Sequence, residues 1–260
     1  MSEILIDLQN ASKSFGERMA VRDVSLKIPA GQLFACLGPN GAGKTTIIKL
    51  LTGLLRPSAG RVLVAGSDMS HNAAENRQPL SYVPDEPYLY DKLTGREFLE
   101  FTRDIYGMPV DATEQRIAEL ISVLDVSSYV DELSETYSHG MRQRVVFAAA
   151  LLHCPRVLVV DEPMVGLDPK SVRVVKDLLR RTANEGCTIF MATHTLSVAE
   201  ELADRIGILN QGRLTHCGTL NELRADLQSE GTALEDLFLQ ATASAEDTTG
   251  DSTPPGLESA

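Results

Sequence analysis

The sequence predicts an α/β fold in which a largely parallel sheet is interrupted by a helical insert. Three observations carry this expectation. From residue 157 onward, short apolar runs at 157–160, 188–192 and 207–209 alternate with helical segments over roughly 170–183 and 196–203, the alternation of a parallel sheet. The buried-strand run Leu33-Phe34-Ala35-Cys36-Leu37 passes through a glycine-rich turn into a helical run from Thr46. Between residues 91 and 153 the strand pattern gives way to helical spacing.

Taken in order, residues 4–8, 20–28 and 61–64 are short, β-rich and bounded by Gly or Pro, so they read as strands. Pro29-Ala30-Gly31 and Ser58-Ala59-Gly60 supply turns. In the helical stretch, Thr94 with Glu97 and Asp111 with Glu114 have capping-box spacing, the second with Asp in the capping position. Behind them Phe98, Phe101 and Ile105, then Ile117, Leu120, Ile121 and Leu124, recur at helical intervals. No internal repeat is visible. Residues 242–260 are rich in Ser, Thr, Gly, Pro and acids, with Leu257 the one large apolar residue, and are expected to be disordered.

With 260 residues, 43% hydrophobic and 23% charged, the chain has the composition of a soluble globular protein and length enough for a packed core. Its net charge of −12 argues against a nucleic-acid surface, which normally carries a basic excess. Part of that charge is in the tail, through Glu246, Asp247, Asp251 and Glu258. Cys36, Cys154, Cys187 and Cys217 lie far apart without C-x-x-C spacing, so reduced thiols are expected rather than a disulfide framework or zinc site. Met1-Ser2-Glu3-Ile4 lacks the basic start and apolar stretch of a signal peptide. The longest apolar runs, such as 145–152, fall far short of the ~18–20 residues of a spanning helix, so any membrane role is expected to come through a partner.

Gly38, Pro39, Asn40, Gly41, Ala42, Gly43, Lys44 and Thr45 match the pattern GxxxxGK[ST] in full. The glycines let backbone N–H groups turn toward phosphate oxygens, where a Cβ would block the tight turn and the close approach. Lys44 can reach β/γ oxygens as a compact cation, and the Thr45 hydroxyl can sit on a magnesium ion. The following helix, from Thr46, points its positive dipole end at the anion. The chain is therefore expected to bind a nucleoside triphosphate.

A second site follows the apolar run 157–160 with Asp161-Glu162-Pro163. A carboxylate ending a buried parallel strand lies at the sheet edge where ligands bind. Asp161 is placed to hold magnesium, directly or through water, and Glu162 to orient or deprotonate an attacking water.

Tyr137-Ser138-His139-Gly140-Met141-Arg142-Gln143-Arg144 then precedes the helical run 145–153. With these three motifs in order, the chain resembles the ATP-binding subunits of ABC transporters over roughly residues 3–225. Ser138, Gly140, Gln143 and Arg144 are in register with the family signature Leu-Ser-Gly-Gly-Gln and its basic continuation, whereas Tyr137, His139 and Met141 stand where Leu, Gly and Gln are usual. The resemblance implies a P-loop NTPase (RecA-like) parallel-sheet core with an N-terminal antiparallel β subdomain and an inserted helical subdomain. It implies an ATP-binding domain over 1–230 with the insert at 86–154, then a C-terminal helix over 231–241 ahead of the tail.

The resemblance also implies activity and partners. ATP and magnesium would be bound, and Ser138 with Gly140 would close over ATP held by the loop of a second subunit, homodimer or paralogue. A Ser N-cap with free backbone N–H groups is physically able to do this. Thr46 joins the phosphate loop. His194 resembles the family's switch histidine, which contacts the γ-phosphate, and Asp168 in Gly166-Leu167-Asp168-Pro169 would contribute across the dimer while opening a helix. Phe15 occupies the place of an adenine-stacking ring, with core packing as the alternative. Asp85 stands where Gln is usual; it can ligate magnesium but, when ionised, donates no hydrogen bond, so either it binds the cation or its loop swings away. His139 either contacts phosphate or points to solvent. Tyr88, Leu89 and Tyr90 and the helix with Phe98 and Phe101 lie where the family receives a permease helix; core packing is the alternative, and the favoured one for Phe98 and Phe101.

The implied function is an ATPase subunit on the cytosolic face of a membrane, driving a separate permease and binding no nucleic acid. Asp85-Glu86-Pro87, the signature variant and Leu234-Glu235-Asp236-Leu237-Phe238-Leu239 are most similar to the subclass serving type-2 permeases, mostly exporters. Two rivals share the motifs. A soluble ATPase acting on DNA or ribosomes would bring a long coiled coil or a second cassette, and neither is seen in the sequence. A non-hydrolysing nucleotide sensor is opposed by intact Lys44, Asp161, Glu162 and His194.

Overall fold

Side-chain alternation along three fully buried strands divides the molecule into two cores. The structure is a computed structural model, and it describes residues 3–70, 79–226 and 238. The buried strands are β3 (Leu33–Leu37), β7 (Val157–Asp161) and β8 (Thr188–Thr193), near-continuous apolar runs of the kind a parallel sheet covered on both faces requires. With β6 (Leu80–Val83), β9 (Arg205–Asn210) and β10 (Arg213–Gly218) they form a six-stranded sheet in the order β10-β9-β3-β8-β7-β6. All its pairs are parallel except the β9–β10 edge hairpin.

Phe34, Cys36, Val157, Val159, Phe190 and Ala192 face one core. They meet Ile47, Ile48, Leu50 and Leu51 of α1 (Lys44–Leu51) and an antiparallel sheet of β1 (Ile4–Phe15), β2 (Arg18–Pro29), β4 (Ala59–Val64) and β5 (Ser67–Asp68), in the order β2-β1-β4-β5. Phe34 and Phe190 stack across neighbouring strands with centroids 5.7 Å apart. Leu33, Ala35, Leu37, Leu158, Val160, Ile189 and Met191 face the opposite core, under the remaining helices. These are α2 (Gly95–Ile105), α3 (Val110–Val123), α4 (His139–Leu151), α5 (Pro169–Asn184), α6 (Leu196–Leu202) and α7 (Leu220–Asp226).

The helices α2, α3 and α4 lie between β6 and β7, so the helical stretch interrupts the sheet as its spacing predicted. Thr94 caps α2 in a reciprocal box: the Glu97 N–H donates to Thr94 Oγ1 at 3.1 Å, and the Thr94 N–H to Glu97 Oε2 at 2.8 Å. The second box does not form. Pro109, with φ −62° and ψ 133°, takes the capping position of α3, and Asp111 falls inside the first turn, where it faces the dipole without capping. The stripe of Phe98, Phe101 and Ile105 also differs from expectation. α2 docks through Gly95 and Leu99, leaving Phe98 half-buried and Phe101 and Ile105 exposed. Spacing defines an apolar stripe but not which flank of it meets the core.

None of the four cysteines is paired, and burial pushes the Cys36 and Cys187 thiols up to about 12. Of the helix expected at 231–241, Phe238 alone lies within the described residues, half-buried against the helical core, and the 242–260 tail lies outside them. Among the described residues no helix is long and apolar enough to cross a membrane.

Candidate functional site

The chain leaves β3 into the phosphate-loop motif at the C-terminal edge of the sheet and enters α1 at Lys44. Two glycines are demanded by space. A Cβ on Gly38 would stand 2.5 Å from the Leu209 carbonyl oxygen, and one on Gly43, at φ +111°, 2.5 Å from that of Ala20. The buried Lys44 Nζ donates to the carbonyls of Gly38 at 2.6 Å and Pro39 at 3.2 Å, so the ammonium sits inside its own loop. Around it lies a cavity of about 450 Å³ lined by Pro39, Asn40, Gly41, Gly43, Lys44, Thr45 and Thr46, and by Phe15, Asp85, Asp161 and Glu162. Gly38 and Ala42 support the loop from behind; Ala42 is buried, and its carbonyl accepts from the Gly212 N–H.

Phe15 ends β1 at the rim of this cavity and is 50% exposed, which removes the core alternative for it. Lys13 Nζ lies 5.4 Å from the ring centroid. Arg18 and Ala20 of β2 also line the cavity. Sequence reasoning missed both; Arg18 follows Phe15 by one hairpin turn, and no motif marks it.

Asp161, at the end of β7, is 4% exposed. Burial raises its pKa from the usual 3.8 to about 6, helped by the charges of Asp85 and Glu162 and opposed by Lys44 and Lys49. Glu162 adopts φ +45°, a region uncommon for a residue with a Cβ. This turns its carboxylate across to the end of β8, where Oε1 lies 2.8 Å from His194 Nδ1. Oε2 accepts from the Thr193 hydroxyl at 3.1 Å and the His194 N–H at 3.3 Å. Thr193 is a third residue that the sequence did not single out.

The donors fit a magnesium ion. The Thr45 hydroxyl and the carboxylates of Asp85 and Asp161 line one cavity as hard oxygen donors, and a divalent cation there would offset the burial and the Asp85 and Glu162 charges that raise the Asp161 pKa. Among the described residues no group of three His, Cys, Asp or Glu side chains forms a metal cage. A magnesium ion that shares its shell with phosphates and waters requires none.

Ser138, Gly140 and Asp168 gather elsewhere. Ser138 caps α4, its Oγ accepting from the Met141 N–H at 3.3 Å. Asp168 caps α5 through the Lys170 and Ser171 N–H groups and the Ser171 hydroxyl. A Cβ on Gly140 would lie 3.4 Å from Leu167 Cδ2 and 3.8 Å from Asp168 Oδ2, so the two caps pack edge to edge. None of the three lines the 450 Å³ cavity. Tyr137 is buried, and its hydroxyl accepts from the Gly95 N–H at 3.0 Å, tying the segment before Ser138 to the start of α2. His139 is exposed to solvent, and its Nε2 also meets the Val165 carbonyl at 3.1 Å.

On the insert, Tyr88, Tyr90 and Phe101 are exposed while Leu89 is buried. Tyr90 sits edge-on to both Tyr88 and Phe101 with centroids 5.6 Å apart, an apolar patch rather than core.

A sequence model of the family described as "ABC transporter" matches residues 21–165. An uncharacterized ABC transporter ATP-binding protein of a Nostoc species is 41% identical over 79% of the chain; the chain spans 61% of that protein's length. The linearmycin resistance ATP-binding protein of Bacillus subtilis is 34% identical over 84% of this chain and 70% of its own. Among solved structures, an ATP-binding subunit of an ABC transporter superposes with TM-score 0.86 at 29% identity, covering 91% of this chain and 99% of that one.

Proposed function

Because the chain belongs to the ABC transporter ATP-binding family, whose members hydrolyse ATP, we propose that it is an ATPase subunit that closes on a second such subunit and drives a separate membrane permease. One observation carries the reading: Lys44, Thr45, Asp161 and Glu162 surround one cavity, whereas the Ser138 and Asp168 caps pack together outside its lining. Such a division suits two sites, each shared between two subunits. The ATP-binding unit is taken as 1–230, with its insert at 86–154.

In this account Phe15 stacks on adenine, and Arg18 stands beside it. The N–H groups of residues 41–46 and Lys44 hold the β- and γ-phosphates, with the ammonium moving from the Gly38 and Pro39 carbonyls to phosphate oxygen. Thr45, Asp161 and Asp85 would hold magnesium, which supplies charge neutralisation of the phosphates when bound. Glu162 accepts a proton from the water whose oxygen bonds to the γ-phosphorus as the bond to the β–γ bridging oxygen breaks, releasing ADP and phosphate. His194 and Thr193 hold that carboxylate in place. Ser138, Gly140 and Asp168 of the second subunit cover the open side, excluding water and strengthening each charge contact.

The Tyr88, Tyr90 and Phe101 patch suits a permease helix, and the linearmycin resistance relative supports export. The chain would then act at the cytosolic face of a membrane. Purification of the tagged full chain from detergent extract tests this assignment. A co-purifying integral membrane protein is expected; rRNA or DNA in its place would overturn the transporter reading.

A further inference from the structure

His139 stands at the first position of α4, directly after the Ser138 cap, and its ring is folded onto the loop that joins β7 to α5. Its Nε2 lies 3.1 Å from the Val165 carbonyl, and a carbonyl only accepts, so Nε2 carries the proton and donates. Gly166, at φ +72°, makes room for the ring: a Cβ there would stand 3.1 Å from His139 Cδ2. One residue further on, Leu167 meets Gly140, and Asp168 caps α5. A second tie spans the same two helices farther back. Arg144 of α4 donates to the Asp125 carbonyl at 2.9 Å, and the Asp125 carboxylate pairs with Lys170 of α5 at 2.7 Å.

We infer that His139 is a positioning residue that clamps the Ser138–Gly140 cap to the 162–168 loop, so that both surfaces offered to the second subunit move as one body. The inference rests on the two-subunit reading above. It accounts for an imidazole where a small residue would leave the caps joined at that end by the packing of Gly140 against Leu167, Ser171 and Asp168, without a hydrogen bond from position 139. Because the same loop begins at Glu162, the clamp also links the surface that closes over one ATP to the base that acts on the other.

The test uses the full chain in a Glu162→Gln background, which holds ATP without turnover. His139→Phe keeps a ring over Gly166 but has no donor, and His139→Gln restores an N–H. With the chain monomeric and nucleotide-free, His139→Phe is expected to raise hydrogen exchange at the Val165 and Leu167 amides about fivefold, the factor equivalent to one net neutral hydrogen bond. It is expected to weaken ATP-driven dimerisation by about the same factor while leaving ATP affinity of the monomer unchanged. His139→Gln should recover both. Unchanged exchange, or raised exchange with unchanged dimer affinity, overturns the clamp. A Glu162→Gln parent that never dimerises with ATP overturns the two-subunit reading first and the clamp with it; a dimerising parent with indifferent variants overturns the clamp alone.

Discussion

His194 Nδ1 lies 2.8 Å from Glu162 Oε1, and the other carboxylate oxygen accepts from the Thr193 hydroxyl and the His194 N–H. The carboxylate at the mouth of the phosphate loop is thus fixed from the neighbouring strand rather than from its own. Glu162 reaches that strand because its backbone takes φ +45° as it leaves β7.

Replacing the base while keeping its shape tests the catalytic assignment. Glu162→Gln is expected to lower kcat by about 10²–10⁴ with ATP still bound. His194→Ala, which frees the carboxylate without removing it, is expected to cost less. Steady-state hydrolysis and equilibrium ATP binding check both, and a Glu162→Gln chain that turns over at the parental rate refutes the role.

Lys44→Ala removes a charge-assisted contact worth about 1.5–3 kcal/mol, so ATP affinity is expected to fall roughly ten- to a hundredfold. The Lys44 ammonium also bonds two carbonyls of its own loop, so some loss of thermal stability accompanies the change. Titration with ATP is the check; unchanged affinity counts against the cradle.

Asp85 supplies a pH test. The folded pKa of Asp161, about 6, lies above its usual 3.8, so the folded state binds that proton more tightly. The corresponding stability is fully present below about pH 3.8 and is lost as pH rises through about 6. Burial is the largest cause and Asp85 the next, so in EDTA Asp85→Asn is expected to raise Tm relative to the parent near pH 7.5, with the difference vanishing near pH 4. The same variant is expected to need more magnesium for hydrolysis. Thermal melts across that range check the first part, and a lower Tm at pH 7.5 contradicts it.

Phe15 is half-exposed at the cavity rim, so its ring is available for stacking rather than needed for the core. Phe15→Ala is expected to weaken ATP binding about two- to tenfold, in line with an aromatic pair worth ~0.5–1.5 kcal/mol, with little change in folding stability. Phe15→Tyr should bind as the parent does. Binding isotherms for ATP decide it, and equal affinity for Phe15→Ala removes the stacking role.

The phosphate loop and the Asp161-Glu162 pair were legible because their chemistry is written in contiguous residues flanked by recognisable elements. The parallel core was legible for a similar reason, since strands buried on both faces leave unbroken apolar runs. Contacts between distant segments were not. Nothing near Arg18 announces that β2 brings it to the cavity, and His139 meets a carbonyl 26 residues away. Asp111 had capping spacing, yet Pro109 pre-empted the position through its fixed φ. The stripe of Phe98, Phe101 and Ile105 was correctly apolar, but only tertiary docking through Leu99 decided that Phe101 would face out.

The central claim is that one chain holds half of each hydrolytic site. ATP hydrolysis per chain, measured in magnesium against chain concentration, tests it most directly. A shared site predicts that activity per chain rises with concentration and levels off as the subunits pair. Activity per chain that stays constant down to concentrations at which the protein is monomeric would contradict it.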